Sequence, residues 1–241
     1  MKEFIQLLLG KVGYEILRKD RPRNISRNTM TEGLNWLRDR SFSVQTVLDV
    51  GASDGRWSKD CMESFPNATY VLFEPQPFHS AALDGYAESA ATRVLPVKKA
   101  IGGEVGTMSF DISDPFGGGP AVSTSESILD VELTTIDATV SGLNLEGPFL
   151  LKLDTHGIEK SILHGAEQTL KKCEILIIEA YNYNITSEAM LFWELCAYLY
   201  EKGFRTIDLV DVMHRKHDNS LWQMDLFFVR SGWNGFNCIT Y

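Results

Sequence analysis

The chain has 241 residues, 44% of them hydrophobic and 23% charged, with a formal charge of −9. That length suits one α/β domain with a substantial core, and the mix is that of a soluble globular chain. The acidic balance argues against a broad nucleic-acid surface, which needs clustered Lys and Arg, and no apolar run approaches the length of a membrane span.

Cys61, Cys173, Cys196 and Cys238 show no Cys-x-x-Cys spacing. They fit thiols in a reducing compartment, hence a cytoplasmic protein, better than a disulfide framework or a zinc site. Residues 1–18 read as a weak amphipathic helix with Phe4, Ile5, Leu8, Leu9, Val12, Ile16 and Leu17 near one side. Packing on the domain, membrane docking and a homodimer contact are all open for it. Phe4–Leu9 is too short and too poorly flanked for a signal peptide. Arg18–Arg27 is locally basic, a solvated linker or a contact for phosphate or anionic lipid. Thr31–Arg40 should be a second helix with Leu34 and Leu37 inward, closing a helical extension (1–45) ahead of the main domain (46–241).

Val47–Gly55, V-L-D-V-G-A-S-D-G, reads as a buried parallel strand and a tight glycine turn that opens a helix over Arg56–Phe65. Glycines at 51 and 55 allow close approach of a ligand, Asp54 is placed to cap the helix, and Pro66 stops it. Tyr70–Pro75, Y-V-L-F-E-P, is a second strand with Glu74 at its end, nineteen positions past Gly55. In nucleotide-binding βαβ units an acid about 20 positions beyond the turn accepts ribose hydroxyls. Counted from Gly51, the dinucleotide glycine pattern fails at Ser53 and Arg56, and no Gly-Lys-Ser/Thr follows. NAD, FAD and a P-loop nucleotide are therefore disfavoured.

A helix over Pro77–Ser89 and a strand over Thr92–Val97 come next. A β-rich insertion (about 104–137) holds strands at Gly106–Ile112 and Val131–Ile136. Between them, glycine and proline crowd residues 114–127, which form either a lid over substrate or a plain loop. Phe149–Leu153 is the fourth strand, and the helix after it carries Ile158, Ile162, Ala166 and Leu170 on one stripe. A strand at Glu174–Ala180, a helix at Ser187–Lys202 and strands at Phe204–Leu209 and Trp222–Val229 complete the count. This alternation predicts a parallel sheet with helices on both faces. The aromatic tail, Ser231–Tyr241, is either a packed cover or loose.

The glycine turn followed by a strand ending in Glu resembles the first two motifs of class I S-adenosylmethionine-dependent methyltransferases. Lys152-x-Asp154-x-x-Gly157-x-Glu159, then Leu163-x-Gly165-Ala166, is similar to the hallmark of the FkbM-type family among them. Ala100-Ile101-Gly102 and Leu133–Asp137 fall where that family has its Ala-x-Gly turn and its Leu-Asp strand. The likeness covers most of residues 46–180. It implies a Rossmann-like, seven-stranded, mostly parallel sheet with a terminal antiparallel hairpin. It also implies S-adenosylmethionine as donor, contacted from the turn by Asp49, Gly51, Ala52, Ser53 and Gly55. Glu74 and Pro75, then Ala100, Ile101 and Asp154, complete the implied donor set. The implied activity is O-methylation of a hydroxyl on a sugar, glycan or small natural product. Two positions depart from the pattern: His156 stands where relatives often carry Glu or Gln, and Ile136 where Leu is usual. The first leaves the identity of a proton acceptor open.

A hydroxyl is a poor nucleophile until its proton is taken, so O-methylation calls for a base or a metal near the methyl. Asp154 and His156, on the loop after the fourth strand, are the base candidates. Each has a plainer reading, Asp154 as a helix N-cap and His156 as a shaper of the turn. Glu179, Tyr181 and Asn182 are candidates for the acceptor pocket, and Asp154, Glu179 and Asn182 could alternatively hold Mg²⁺ or Ca²⁺. His79, His214 and His217 have no partner that spacing reveals, and His164 faces away from its helix stripe. Two other activities stay in view. N-methylation is weakened because Asp154-Thr155-His156-Gly157 replaces the (N/D)-P-P-(Y/F) tetrapeptide, and a catalytically silent nucleoside-binding module is the reading from another class.

Overall fold

The computed structural model describes residues 27–90, 93–122, 124 and 127–239. The helix expected at 1–18, and the basic stretch apart from Arg27, lie outside the described residues. The first described helix, α1 (Met30–Asp39), opens with a capping box in which Thr29 and Glu32 satisfy each other's backbone N–H groups. It is followed by β1 (Thr46–Val50), α2 (Arg56–Ser64), β2 (Thr69–Phe73), α3 (Ser80–Ser89) and β3 (Val94–Val97). The insertion contributes β4 (Ala100–Ile101), β5 (Gly106–Asp111), β6 (Gly119–Pro120) and β7 (Ile128–Thr134), then α4 (Ile136–Gly142). The second half runs β8 (Phe149–Leu153), α5 (Glu159–His164), α6 (Glu167–Leu170), β9 (Cys173–Tyr181), α7 (Phe192–Glu201), β10 (Phe204–His214) and β11 (Leu221–Arg230).

Seven strands make one sheet in the order β10-β11-β9-β8-β1-β2-β3. β11 is antiparallel to both its neighbours, whereas β9, β8, β1, β2 and β3 are parallel. The expected sheet and its antiparallel hairpin are therefore present. Side chains along a strand alternate between faces, and here both sets are buried. Leu48, Val50, Val71, Phe73, Leu151 and Leu153 pack on one face with α5, α6 and α7. Val47, Tyr70, Leu72, Leu150, Ile175 and Ile177 pack on the other with α1, α2 and α3. A continuous apolar run in each central strand is the consequence of being covered twice. A second, four-stranded sheet, β4-β7-β5-β6, has its own small core of Ala100, Phe110 and Val131. Among the described residues no helix is long and apolar enough to cross a membrane.

Several boundaries differ from the sequence pattern for local reasons. Ile136 starts a helix instead of ending a strand, because the Thr135 hydroxyl accepts the Ala138 N–H at 3.0 Å and caps α4. The helix after β8 is two short ones that meet at Gly165, where a Cβ would lie 2.3 Å from the Gly102 carbonyl oxygen. α7 begins at Phe192, not Ser187. Thr186 is drawn out of any helix by donating its hydroxyl to the Gly157 carbonyl at 2.9 Å, and Glu194 accepts the Leu191 N–H at 2.8 Å to start α7 instead.

Candidate active site

From β1 the chain proceeds to β2 and β3 on one side, and β8 and β9 lie on the other. Such a reversal leaves a crevice at the carboxyl ends of the two middle strands. The two turns that frame it touch: Asp154 N–H donates to the Val50 carbonyl at 3.0 Å. At Gly51 φ is +79°, and a Cβ would lie 2.1 Å from the Asp154 carbonyl oxygen. Only glycine permits both the left-handed backbone and that approach. Gly55 also has positive φ, but a Cβ there would press on Tyr86, Leu83 and Leu72. Its task is packing of the turn against α3, and it, not Asp54, is the N-cap residue of α2. Asp54 instead accepts the guanidinium and backbone N–H of Arg56.

The crevice is a cavity of about 400 Å³. Gly51, Ala52, Ser53, Glu74, Pro75, Ala100, Ile101 and Asp154 all line it, so eight of the implied donor contacts share one space. Asp49 lies beneath, with no exposed surface. It accepts the Ser58 hydroxyl at 2.7 Å and sits 3.3 Å from Lys152 Nζ. Register explains the ion pair, since Asp49 and Lys152 are direct partners across β1 and β8. Glu74, 6% exposed, accepts the Ser53 N–H at 2.9 Å through Oε2 and the Gln76 N–H at 2.8 Å through Oε1. Burial pushes its carboxyl above the ordinary value, although both N–H bonds pull the other way.

The insertion closes one side. Gln76 donates its amide to the Pro115 carbonyl at 3.0 Å, and His79 Nε2 lies 2.7 Å from the same oxygen. His79 is 2% exposed and Phe116 packs edge-on against it. Pro115, Phe116, Gly118, Gly119 and Pro120 line the cavity. Sequence reading gave no role to Gln76 or His79, because the carbonyls they bind belong to a segment 36 to 39 positions away. Trp57 is a further lining residue that it missed; the Trp57 ring lies 5.1 Å from Lys152 Nζ.

At the other end, Lys152 Nζ donates to Asp154 Oδ2 at 3.0 Å. Burial alone would raise the Asp154 carboxyl, but the Lys152 charge and hydrogen bond outweigh it and hold it below its usual value. The loop after it is braced from below: Glu159 accepts the Gly157 N–H at 2.9 Å. His156 lines the cavity, and its Nδ1 is 3.0 Å from the Tyr181 hydroxyl and 3.7 Å from Glu179 Oε2. Tyr181 donates to Glu179 Oε2 at 2.5 Å, and the Gln223 amide donates to Oε1. Burial, then the charge of Asp154, raises the Glu179 carboxyl. Asp225 faces Glu179 across β11 and β9, and burial with the same charge pushes it up to about 7. Asn182 turns away, donating its backbone and side-chain N–H groups to Trp222 and Leu221 carbonyls. Asp154 and Glu179 of the suggested Asp154–Glu179–Asn182 cation set interact directly. Among the described residues no three His, Cys, Asp or Glu are grouped to hold a metal.

Of the folds that alternate strand and helix, the one whose last strand slips in antiparallel next to its neighbours is that of the class I methyltransferases, which use S-adenosylmethionine. The chain matches the family described as the methyltransferase FkbM domain over residues 49–206, well over half its length, and it belongs to that family. Among curated proteins, the hexuronic acid methyltransferase AglP of Haloferax volcanii is 24% identical over 148 residues, covering 61% of this chain and 61% of that protein. Among solved structures, a putative rRNA methylase from Clostridium thermocellum is 10% identical with a TM-score of 0.48, covering 85% of this chain and 97% of that one. A Burkholderia thailandensis 1,6-didemethyltoxoflavin N1-methyltransferase is 11% identical with a TM-score of 0.47, covering 83% and 78%. At these scores neither structure bears on what this chain acts upon.

Proposed function

We propose that the protein transfers a methyl group from S-adenosylmethionine to a hydroxyl oxygen of a sugar, glycan or related small molecule, with His156 as proton acceptor. The residues present fit the donor. The cavity is of the size that takes a drug-sized ligand, a backbone turn without side-chain bulk forms one wall, and Glu74 offers lone pairs to a ribose. When bound, the donor supplies an electrophilic methyl on a sulfonium sulfur. The rest falls to the protein: Glu74 and the turn orient the adenosyl end, and the 154–157 loop holds a base beside the reacting end.

The observation that carries this reading is that His156 lines the same cavity as Glu74 and Gly51. The hexuronic acid named for the Haloferax volcanii relative supports a sugar acceptor. An amine is the second reading, because the Asp154 carboxyl lines the cavity and would attract an ammonium. The test is a panel of uronic acids, neutral sugars and amino sugars incubated with methyl-labelled donor. A methyl ether is expected, identified by NMR of the product; a methyl ester would show a carboxylate acceptor and overturn the hydroxyl. Label found on nitrogen alone would overturn the oxygen acceptor.

A further inference from the structure

We infer that Tyr181 and Glu179 are positioning residues that fix His156 as its Nδ1–H tautomer, leaving Nε2 to accept the acceptor's proton. This rests on the reading of His156 as the base and deepens it. A tyrosine hydroxyl has one proton to give, and here it goes to Glu179 Oε2 at 2.5 Å. Facing His156 Nδ1 at 3.0 Å, the same oxygen then accepts, so with Glu179 ionised Nδ1 carries the hydrogen. A neutral imidazole has one N–H, which puts the lone pair on Nε2. No other hydrogen bond of the His156 ring occurs among the described residues.

The arrangement is held from behind. The Gln223 amide donates to the other oxygen of Glu179, which is 9% exposed. Tyr181 is wedged edge-on between His156 and Trp222, with ring centroids 6.4 and 5.9 Å apart. Glu179 and Tyr181 are two apart on β9 and so share a face, which is what lets one residue hold the other. In the transfer, the acceptor oxygen forms its bond to the methyl carbon as the carbon–sulfur bond breaks and leaves its electron pair on sulfur. The hydroxyl proton passes to Nε2. The imidazolium so formed keeps its Nδ1–H on Tyr181, with the Glu179 carboxyl one hydrogen bond further on. The charged and titratable groups of this cluster are Asp154 on the same loop, Glu159 bracing it, Lys152 of β8, Glu179 and Tyr181 of β9 and Asp225 of β11.

The test needs no turnover in its first arm. In protein labelled with ¹⁵N-histidine and free of donor, the resonances lost in His156→Gln identify His156, and two-bond couplings report its tautomer. Nδ1–H is expected, with Tyr181→Phe moving the ring toward Nε2–H. A wild-type Nε2–H tautomer overturns the inference even if Tyr181→Phe does not fold. In the second arm, Tyr181→Phe should lower kcat about tenfold or more at unchanged donor KM. An unchanged kcat in Tyr181→Phe, with His156→Gln inactive, overturns the positioning role and leaves the base assignment standing. Full activity in His156→Gln overturns the base assignment itself.

Discussion

Glu74→Gln separates the brace that this carboxylate forms from the ribose contact proposed for it. In the structure Glu74 accepts the Ser53 and Gln76 backbone N–H groups at 2.9 and 2.8 Å, tying the glycine turn to the segment after β2. In the proposed complex it also accepts from the ribose. A glutamine keeps one oxygen, so one of the two N–H groups would face an NH₂ instead. A hydrogen bond to a charged group contributes about 1.5–3 kcal/mol. Against that loss stands relief of the burial that already raises this carboxyl, so the net fall in stability should be about 1–2 kcal/mol. Ribose binding has no such offset. Losing a charged acceptor there should weaken the donor complex by about 1.5–3 kcal/mol, roughly 10- to 150-fold in Kd. Urea denaturation gives the first quantity and calorimetric titration of S-adenosylhomocysteine the second. Affinity within threefold of wild type alongside a lowered urea midpoint would show that Glu74 is a brace only, and would refute the ribose assignment.

Asp225→Asn tests the acidic cluster by pH. A carboxyl raised to about 7 in the folded state gives stability that is full below its ordinary value near 3.8 and is lost as pH rises through 7. The variant's advantage in denaturation midpoint should be smaller at pH 5 than at pH 8; equal midpoints at both would remove the cluster's electrostatic cost. Gly118→Ala should loosen the insertion, since a Cβ there would sit 2.4 Å from Gln76 Nε2 and push that amide off the Pro115 carbonyl. Faster hydrogen exchange over residues 106–120 and a several-fold weaker donor Kd are expected. Thiol titration should find Cys238 fast and half-buried Cys196 slower, with Cys61 and Cys173 reacting only in denaturant. Burial raises both buried thiols, Cys173 to about 12, so neither offers thiolate at neutral pH. Reaction of all four in native buffer would contradict the packing.

The sheet was legible because its central strands carry their own boundaries. Pro148 and Asp154 bracket Phe149–Leu153, and those five residues are the strand observed. The glycine turn and Glu74 stood out for the same reason: each is a local departure at the end of an apolar run. Boundaries went astray where a tertiary bond decided the outcome. Thr186 sits in a stretch that could continue a helix backward from Phe192, and only its bond to the Gly157 carbonyl, 29 positions away, prevents that. Ile136 is as good a strand residue as a helix one, and the neighbouring Thr135 cap tipped it.

The candidate site divides along the same line. Gly51, Ser53, Glu74 and Asp154 announce themselves by spacing along one βαβ unit and the strand beside it. What Lys152 does depends instead on register: it is buried because β8 pairs with β1 so that residue 152 lies opposite Asp49. A single-residue slip would turn Lys152 to the other face and leave two carboxylates without a cation. The surroundings of His156 depend on register twice over, since Glu179 and Tyr181 reach it together from β9, and Gln223 reaches Glu179 only because β11 has entered antiparallel beside β9. An adjacent strand of opposite direction is what brings Gln223 and Asp225 to the carboxyl end of a parallel sheet. The inserted strand thus does more than complete the fold, because it carries groups that set the electrostatics behind the His156 end of the crevice.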